Sequence, residues 1–171
     1  MRTAVVSGTF DPVTVGHINI IGRACALFDK VVVAVCDSHY KTSFFSAEVR
    51  AAALKASVGG FGNVEVEICD CLLADFCGRY ESPVIVRGAR NGGDFEYEIE
   101  MYSLNREIMN VVNRNETRLD SVVLPAEPAL AHISSSFVRE LIKYGKDFKS
   151  AVPSEAYGII KEALNNTNEK D

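Results

Sequence analysis

Four groups of residues in this chain have types and spacings suited to anion chemistry. The first is Thr14-Val15-Gly16-His17, which follows an apolar run and a turn and opens a helical pattern. Gly16 lets a ligand approach the backbone. His17, in the first helical turn, adds a side-chain N–H to the backbone donors and the positive end of the helix. The second is Arg87-Gly88-Ala89-Arg90, two guanidinium groups three residues apart around a glycine, one for each of two phosphates. The third, Ile133-Ser134-Ser135-Ser136, precedes the helically spaced apolar residues Phe137, Val138, Leu141 and Ile142. Its hydroxyls and first-turn N–H groups suit triphosphate oxygens, although a plain N-cap needs only one serine. The fourth is Lys41, in a loop after a strand-like run, whose ammonium can reach a ligand across a sheet edge. Taken alone, a loop lysine is more often solvated.

Other polar residues carry weaker signals. Asp94-Phe95-Glu96-Tyr97-Glu98 reads as a capped start of an amphipathic helix, with Glu98 facing either a nucleotide or solvent. Asp11, in Phe10-Asp11-Pro12, reads as a turn-forming aspartate rather than a general base. His39 and His132 have no carboxylate or cysteine partner by spacing and read as auxiliary contacts or loop residues. The chain contains no Walker-type phosphate loop, no G-x-G-x-x-G fingerprint and no G-x-S-x-G elbow, which disfavours the corresponding NTPase, dinucleotide and acyl-hydrolase chemistries.

These groups need a scaffold that brings distant segments together, and the apolar pattern supplies one. Strand-like runs at 3–7, 31–36, 64–68, 84–87 and 121–124 alternate with helical stretches at 17–28, 47–57, 72–80, 95–110 and 136–144, with a last helix after Pro153. The pattern predicts an α/β fold: a Rossmann-like, doubly wound parallel five-stranded sheet with helices on both faces and a C-terminal helical segment. Residues 1–165 form one domain in this reading and 166–171 a polar tail. Residues 110–120 read as a long surface connection, and the glycines of Asn91-Gly92-Gly93 predict a loose link. Each candidate group then falls just beyond the carboxyl end of a strand, where such sheets bind ligands.

Composition narrows the partners. With 171 residues and 47% hydrophobic content the chain can bury a real core without disulfides or metal. No apolar run is long enough for a membrane span and the N-terminus lacks signal-peptide character, so a cytoplasmic location without membrane association is expected. A net charge of −5 argues against broad nucleic-acid binding. The five cysteines are odd in number and form no C-x-x-C pair, so free thiols are expected; Cys69-x-Cys71 with Cys77 is a weak metal alternative.

The joint order of three segments is far more specific than any one motif. They are Gly8-Thr9-Phe10-Asp11-Pro12-Val13-Thr14-Val15-Gly16-His17, Arg87 to Arg90 with Asp94 to Glu98, and Ile133 to Glu140. Together they resemble the nucleotidyltransferase superfamily carrying a (T/H)-x-G-H motif, and within it the bacterial phosphopantetheine adenylyltransferases, over nearly the whole chain. The resemblance implies that Thr9, Phe10, His17, Gly88, Ala89, Arg90, Glu98, Leu130, Ala131, His132, Ile133, Ser134, Ser135 and Ser136 surround ATP. It implies that Thr9, Lys41, Leu73 and Arg87 contact 4′-phosphopantetheine, with His17 and Lys41 carrying catalysis. It further implies dephospho-CoA and pyrophosphate as products, Mg²⁺ as cofactor with no dedicated protein ligands, and a homohexamer. Two alternatives stay open at this level: a related transferase using CTP or another phosphate acceptor such as nicotinamide mononucleotide, and a catalytically silent nucleotide sensor.

Overall fold

The computed structural model describes residues 1–37, 42–112 and 118–168. Five parallel strands, β1 (Thr3–Gly8), β2 (Lys30–Cys36), β3 (Val64–Cys69), β4 (Val84–Ala89) and β5 (Asp120–Pro125), lie in the order β3-β2-β1-β4-β5. The order reverses between β1 and β4, and this switch point leaves a crevice beyond the strands' carboxyl ends. β1 and β2 are nearly continuous apolar runs because both faces of a central parallel strand are covered; Ala4, Val5, Val31, Val32, Val33 and Ala34 are fully buried. At the β3 edge, Glu65 alternates outward and pairs with Lys30.

Helices α1 (Val15–Leu27), α2 (Ala47–Val58), α3 (Leu73–Cys77), α4 (Gly92–Val112), α5 (Ser135–Lys143) and α6 (Ser154–Asn168) cover both faces. One apolar cluster joins Val31, Val33 and Val35 to Ile21 of α1, Leu54 of α2, Val138 of α5 and Ile160 of α6. A second joins Val5, Val32 and Ala34 to Phe76 of α3 and Met109 of α4. The doubly wound α/β architecture expected from the alternation is the observed one.

Several boundaries differ from the expectations, each for a local reason. The stretch expected as a helix over 72–80 forms only the five-residue α3, because Gly78 closes it. Helix α4 begins at Gly92 rather than after Asp94. The Asn91 side chain accepts from Asp94 N at 2.9 Å, so Gly92 and Gly93 form the first turn instead of a loose link. The same helix runs to Val112, which shortens the expected 110–120 connection; Asn115 and its neighbours at 113–117 lie outside the described residues. Helix α6 continues through Asn168, so residues 166–168 of the expected tail are helical.

Candidate active site

The site begins at the turn after β1. Phe10 adopts a positive φ of 48°, a region that a bulky residue rarely visits. Its ring compensates by packing over Gly8, where a Cβ would come within 3.1 Å of it, and edge-on to His17 at a centroid distance of 5.1 Å. Asp11 is buried, and its carboxylate accepts hydrogen bonds from Phe44 N at 2.7 Å and Phe45 N at 2.9 Å. Arg139 of α5 donates to the Asp11 carbonyl. The aspartate is therefore a structural tie between three segments, as the turn reading expected.

Helix α1 opens with a capping box. Thr14 Oγ1 accepts from His17 N, and Thr14 N donates to His17 Nδ1 at 3.0 Å. Because Nδ1 accepts a backbone N–H, the neutral ring carries its proton on Nε2. Burial and the nearby Arg87 and Arg90 guanidinium groups lower the His17 pKa to about 4. The ring is therefore neutral at physiological pH and holds one N–H donor that the cap does not use.

Helix α5 meets the same space. Ser134 is its N-cap and accepts from Phe137 N at 3.1 Å; Ser135 Oγ donates to Pro12 O at 2.8 Å; Ser136 Oγ accepts from Arg139 at 3.0 Å. Each hydroxyl thus has a partner within the chain, but only Ser135 spends its proton; Ser134 and Ser136 accept and keep an O–H for a further bond. The N–H groups of Ser135 and Ser136, which the cap does not use, lack intrahelical partners and are further donors. Gly16 lies against this segment: a Cβ there would come no closer than 3.6 Å to Thr14 Oγ1 and 4.0 Å to Ile133 O, so packing within the chain does not demand glycine.

Near the carboxyl end of β4, Arg87 donates from Nε to Glu98 at 2.7 Å and from its terminal nitrogen to Ser7 O and, at 3.2 Å, Ser7 Oγ. Arg90 pairs with Asp94 at 2.9 Å. Both guanidinium groups are thus held by carboxylates at the cavity wall. A Cβ at Gly88 would lie 3.0 Å from the Ile20 side chain of α1, so a larger residue there requires Ile20 to shift. Glu98 is buried and its charge is matched by Arg87.

These parts line one cavity of about 700 Å³. Thr9, Phe10, His17, Arg87, Gly88, Arg90, Glu98, Leu130, Ile133, Ser134, Ser135 and Ser136 all border it. Three residues expected around ATP do not. Ala89 ends β4 with its side chain buried in the sheet, and Ala131 and the exposed His132 lie on the turn before Ile133. Leu73 opens α3 and packs on the second apolar cluster, two strands from β1 and away from the cavity. Lys41 and His39 lie outside the described residues, while Thr42 and Ser43 border the cavity.

Sequence reasoning missed Arg50. It is 1% exposed and donates to Phe45 O at 3.0 Å, Thr9 O at 2.7 Å and Cys36 O at 3.1 Å, and its remaining nitrogen pairs with Asp37. It ties the end of β2 and the start of α2 to the site turn. The available signal was an arginine in phase with the buried Ala53 and Leu54 on α2. Tyr97, Ser7 and Arg139 also border the cavity without having been singled out.

Strand order, the switch-point cavity and two helix N-termini aimed into it define a nucleotidyltransferase of the cytidylyltransferase-like class, whose family model matches residues 5–141. Near-full-length relatives narrow the class. The Nautilia profundicola phosphopantetheine adenylyltransferase is 40% identical over 159 residues, covering 93% of this chain and 97% of the relative. That of Bifidobacterium animalis subsp. lactis is 39% identical over 166 residues, covering 96% and 99%. The chain belongs to the phosphopantetheine adenylyltransferase family. A solved Vibrio parahaemolyticus structure assigned as a nicotinate-nucleotide adenylyltransferase superposes with a TM-score of 0.68 at 18% identity, covering 95% of this chain and 93% of that one. That likeness concerns the fold.

Proposed function

We propose that this chain transfers the adenylyl group of ATP to the terminal phosphate of 4′-phosphopantetheine, releasing pyrophosphate and forming dephospho-CoA in coenzyme A biosynthesis. The observation that carries the reading is the meeting of the α1 and α5 N-termini with His17, Arg87 and Arg90 around one cavity. Two helix ends and two guanidinium groups suit a polyanion, and the acceptor follows from the near-full-length relatives.

The attacking group needs no base. A phosphate monoester with a second pKa near about 6 is already largely dianionic at neutral pH. Among the described residues the cavity offers no free base either: His17 is held neutral with a pKa of about 4, and Asp11, Asp94 and Glu98 are bound to backbone N–H groups or arginines. Catalysis therefore rests on alignment and charge stabilisation. In this reading His17 donates from Nε2 to the α-phosphate as charge develops there. The first-turn N–H groups of α1 and α5 hold the triphosphate, and Arg87 and Arg90 exchange part of their carboxylate pairing for phosphate. Lys41 orients and neutralises the attacking phosphate, and Leu73, at the start of α3 two strands from β1, contacts the pantetheine arm where it extends out of the cavity.

Mg²⁺ fits this donor set only as a nucleotide-borne ion. Each cavity carboxylate among the described residues already has a cationic or backbone partner, so triphosphate oxygens and water would hold the metal. Bound there, it would screen the triphosphate charge. A homohexamer in the cytoplasm completes the proposal. It is supported by the exposed Phe95, Ile99, Leu104 and Val111 on α4 and by the absence, among the described residues, of any helix long and apolar enough to cross a membrane. Light scattering that shows only monomer at micromolar concentration would remove the hexamer and leave the reaction standing.

The test of the reaction is mass spectrometry of products after incubation with Mg²⁺, ATP or CTP, and a panel of acceptors that includes 4′-phosphopantetheine and nicotinamide mononucleotide. Dephospho-CoA and pyrophosphate from ATP and phosphopantetheine alone are expected. Preferential use of another pair, or no product from any pair, overturns the reading.

A further inference from the structure

The sheet face opposite α1 ends in sulfur. Cys36 is the last residue of β2 and Cys69 the last of β3, and the two are register partners. Partners on neighbouring strands lie about 4.8 Å apart and project to the same face, within the roughly 4.4–6.8 Å between Cα atoms that a disulfide spans. Both side chains join the cluster of Phe76 and Met109, with Cys71 and Cys77 packed beside them. All five cysteines are free thiols. Among the described residues no group of three histidine, cysteine or acidic side chains is arranged to hold a metal ion, so the geometry leaves sulfur–sulfur chemistry.

The two partners sit in unequal surroundings. Cys36 is half-buried and its S–H donates to Ala34 O at 3.6 Å; the adjacent Cys69 thiol, with the field of Arg87, holds the Cys36 thiol below the ordinary range against the opposing effect of burial. Cys69 is 5% exposed; its pairing with Cys36 and its burial push its thiol well up, and its S–H donates to Cys71 O at 3.3 Å. Burial pushes the neighbouring Cys77 up to about 12. The cluster thus contains one half-buried sulfur whose ionisation is favoured over that of its neighbours and, directly across the ladder, one more deeply buried sulfur whose ionisation is disfavoured.

We propose that Cys36 and Cys69 form a thiol–disulfide exchange site for low-molecular-weight disulfides, with Cys36 the attacking sulfur and Cys69 the resolving one. The Cys36 thiolate attacks one sulfur of R–S–S–R. The S–S bond breaks, a Cys36–S–S–R mixed disulfide forms, and the departing thiolate takes up a proton. Cys36 has then lost the negative charge that disfavoured ionisation of its neighbour. Cys69 releases its proton and attacks the Cys36 sulfur, forming the Cys36–Cys69 bond and expelling the second R–S⁻. In total two protein thiols are oxidised and one small disulfide is reduced to two thiols. The linked position adjoins the active-site scaffold, since Cys36 O is an acceptor for Arg50, which also holds Thr9 O.

The test uses the full chain with glutathione disulfide, acid quenching and peptide mass spectrometry without reductant, so its readout is independent of adenylyl transfer. The expected result is a glutathione adduct at Cys36, formed at least about tenfold faster than at Cys25 or Cys71. It should convert to a Cys36–Cys69 linkage lacking two hydrogens and reversed by dithiothreitol. Cys69→Ala should trap the Cys36 adduct, and Cys36→Ser should abolish both species; Cys69→Ser repeats the trap if the alanine variant folds poorly. The proposal is overturned if the wild-type adduct persists without a linkage, if Cys25 or Cys71 reacts as fast as Cys36, or if linkage formation survives Cys36→Ser.

Discussion

The α1 and α5 N-termini enter the same cavity with a similar cap, a hydroxyl that accepts from a backbone N–H three residues on, and yet they present different chemistry. At α1 the third helical residue is a histidine that returns a hydrogen bond to the cap through Nδ1 alone, which leaves Nε2–H unused. At α5 Ser135 Oγ donates to Pro12 O, while Ser134 and Ser136 accept from Phe137 N and Arg139 and keep O–H groups that can rotate, beside the backbone donors. One end therefore offers a side-chain donor fixed in tautomer and direction. The other offers a dipole and N–H groups whose positions depend on the helix being capped. In the proposed reaction the first acts on the developing charge at the α-phosphate, while the second holds the rest of the triphosphate in ground state and transition state alike.

The largest expected effect comes from removing the side-chain donor. His17→Ala should lower kcat by about 10²–10³, roughly 3–4 kcal/mol in the barrier, with ATP affinity changed much less. Steady-state kinetics alongside calorimetry check this, and wild-type turnover in a folded variant would erase the distinction between the two helix ends. Lys41→Ala belongs to neither end. It should weaken 4′-phosphopantetheine binding and turnover by about 2 kcal/mol while ATP binding stays nearly unchanged, and Lys41→Arg should not restore full activity because a planar guanidinium cannot take the place of a compact ammonium. Equal loss of both affinities by calorimetry would place Lys41 among the triphosphate contacts instead.

Cap removal sharpens the comparison at smaller scale. Thr14→Ala and Ser134→Ala should each cost about 1 kcal/mol of stability in denaturant titrations. Thr14→Ala should also lower kcat a few-fold through the loosened His17 ring. Ser134→Ala should raise the KM for ATP with kcat unchanged, and a kcat loss there matching that of Thr14→Ala would show that both ends act on the transition state.

The last expectation concerns protonation rather than rate. His17 has a folded pKa of about 4 against an ordinary 6.5, so between those values the unfolded chain binds more protons. The stability contributed by the neutral ring is fully present above about pH 6.5 and is lost as pH falls toward about 4. Imidazole ¹H–¹⁵N correlation spectra at pH 6 should show His17 neutral and protonated on Nε2 only. A ring titrating near 6.5 would point instead to acid–base chemistry.

How much of this was legible before folding differs by residue. The strand and helix alternation was readable because parallel strands buried on both faces leave continuous apolar runs such as Val31 to Val35. Thr14, Gly16 and His17 were readable because capping acts over three or four residues, within reach of local pattern. Arg87 and Arg90 were readable as cations after a strand, but their engagement with Glu98 and Asp94 in the folded chain was not assigned. Asn91 as the cap of α4 was missed because Asp94 offers the same chemistry three residues later and suggests a later start. Ala89, Ala131 and His132 entered through contiguity with true cavity residues; in a strand end or a turn, adjacent side chains point in different directions.

By itself, the sequence determined the α/β class, the order of the candidate groups along the chain and the helix start that places His17 in a first turn, since each follows from propensity, periodicity or contacts a few residues long. Only the tertiary structure decided that α5 delivers its first turn against the α1 end, that Ser135 donates its hydroxyl to Pro12 O, that Arg50 is buried among the carbonyls of Thr9, Cys36 and Phe45, and that Cys36 faces Cys69 across a ladder. Among these, the Arg50–Thr9, Cys36–Cys69 and Ser135–Pro12 contacts join residues 41, 33 and 123 positions apart. They depend on strand register and helix docking, which arise from the combined burial of many side chains and leave no mark in the local spacing of any one of them.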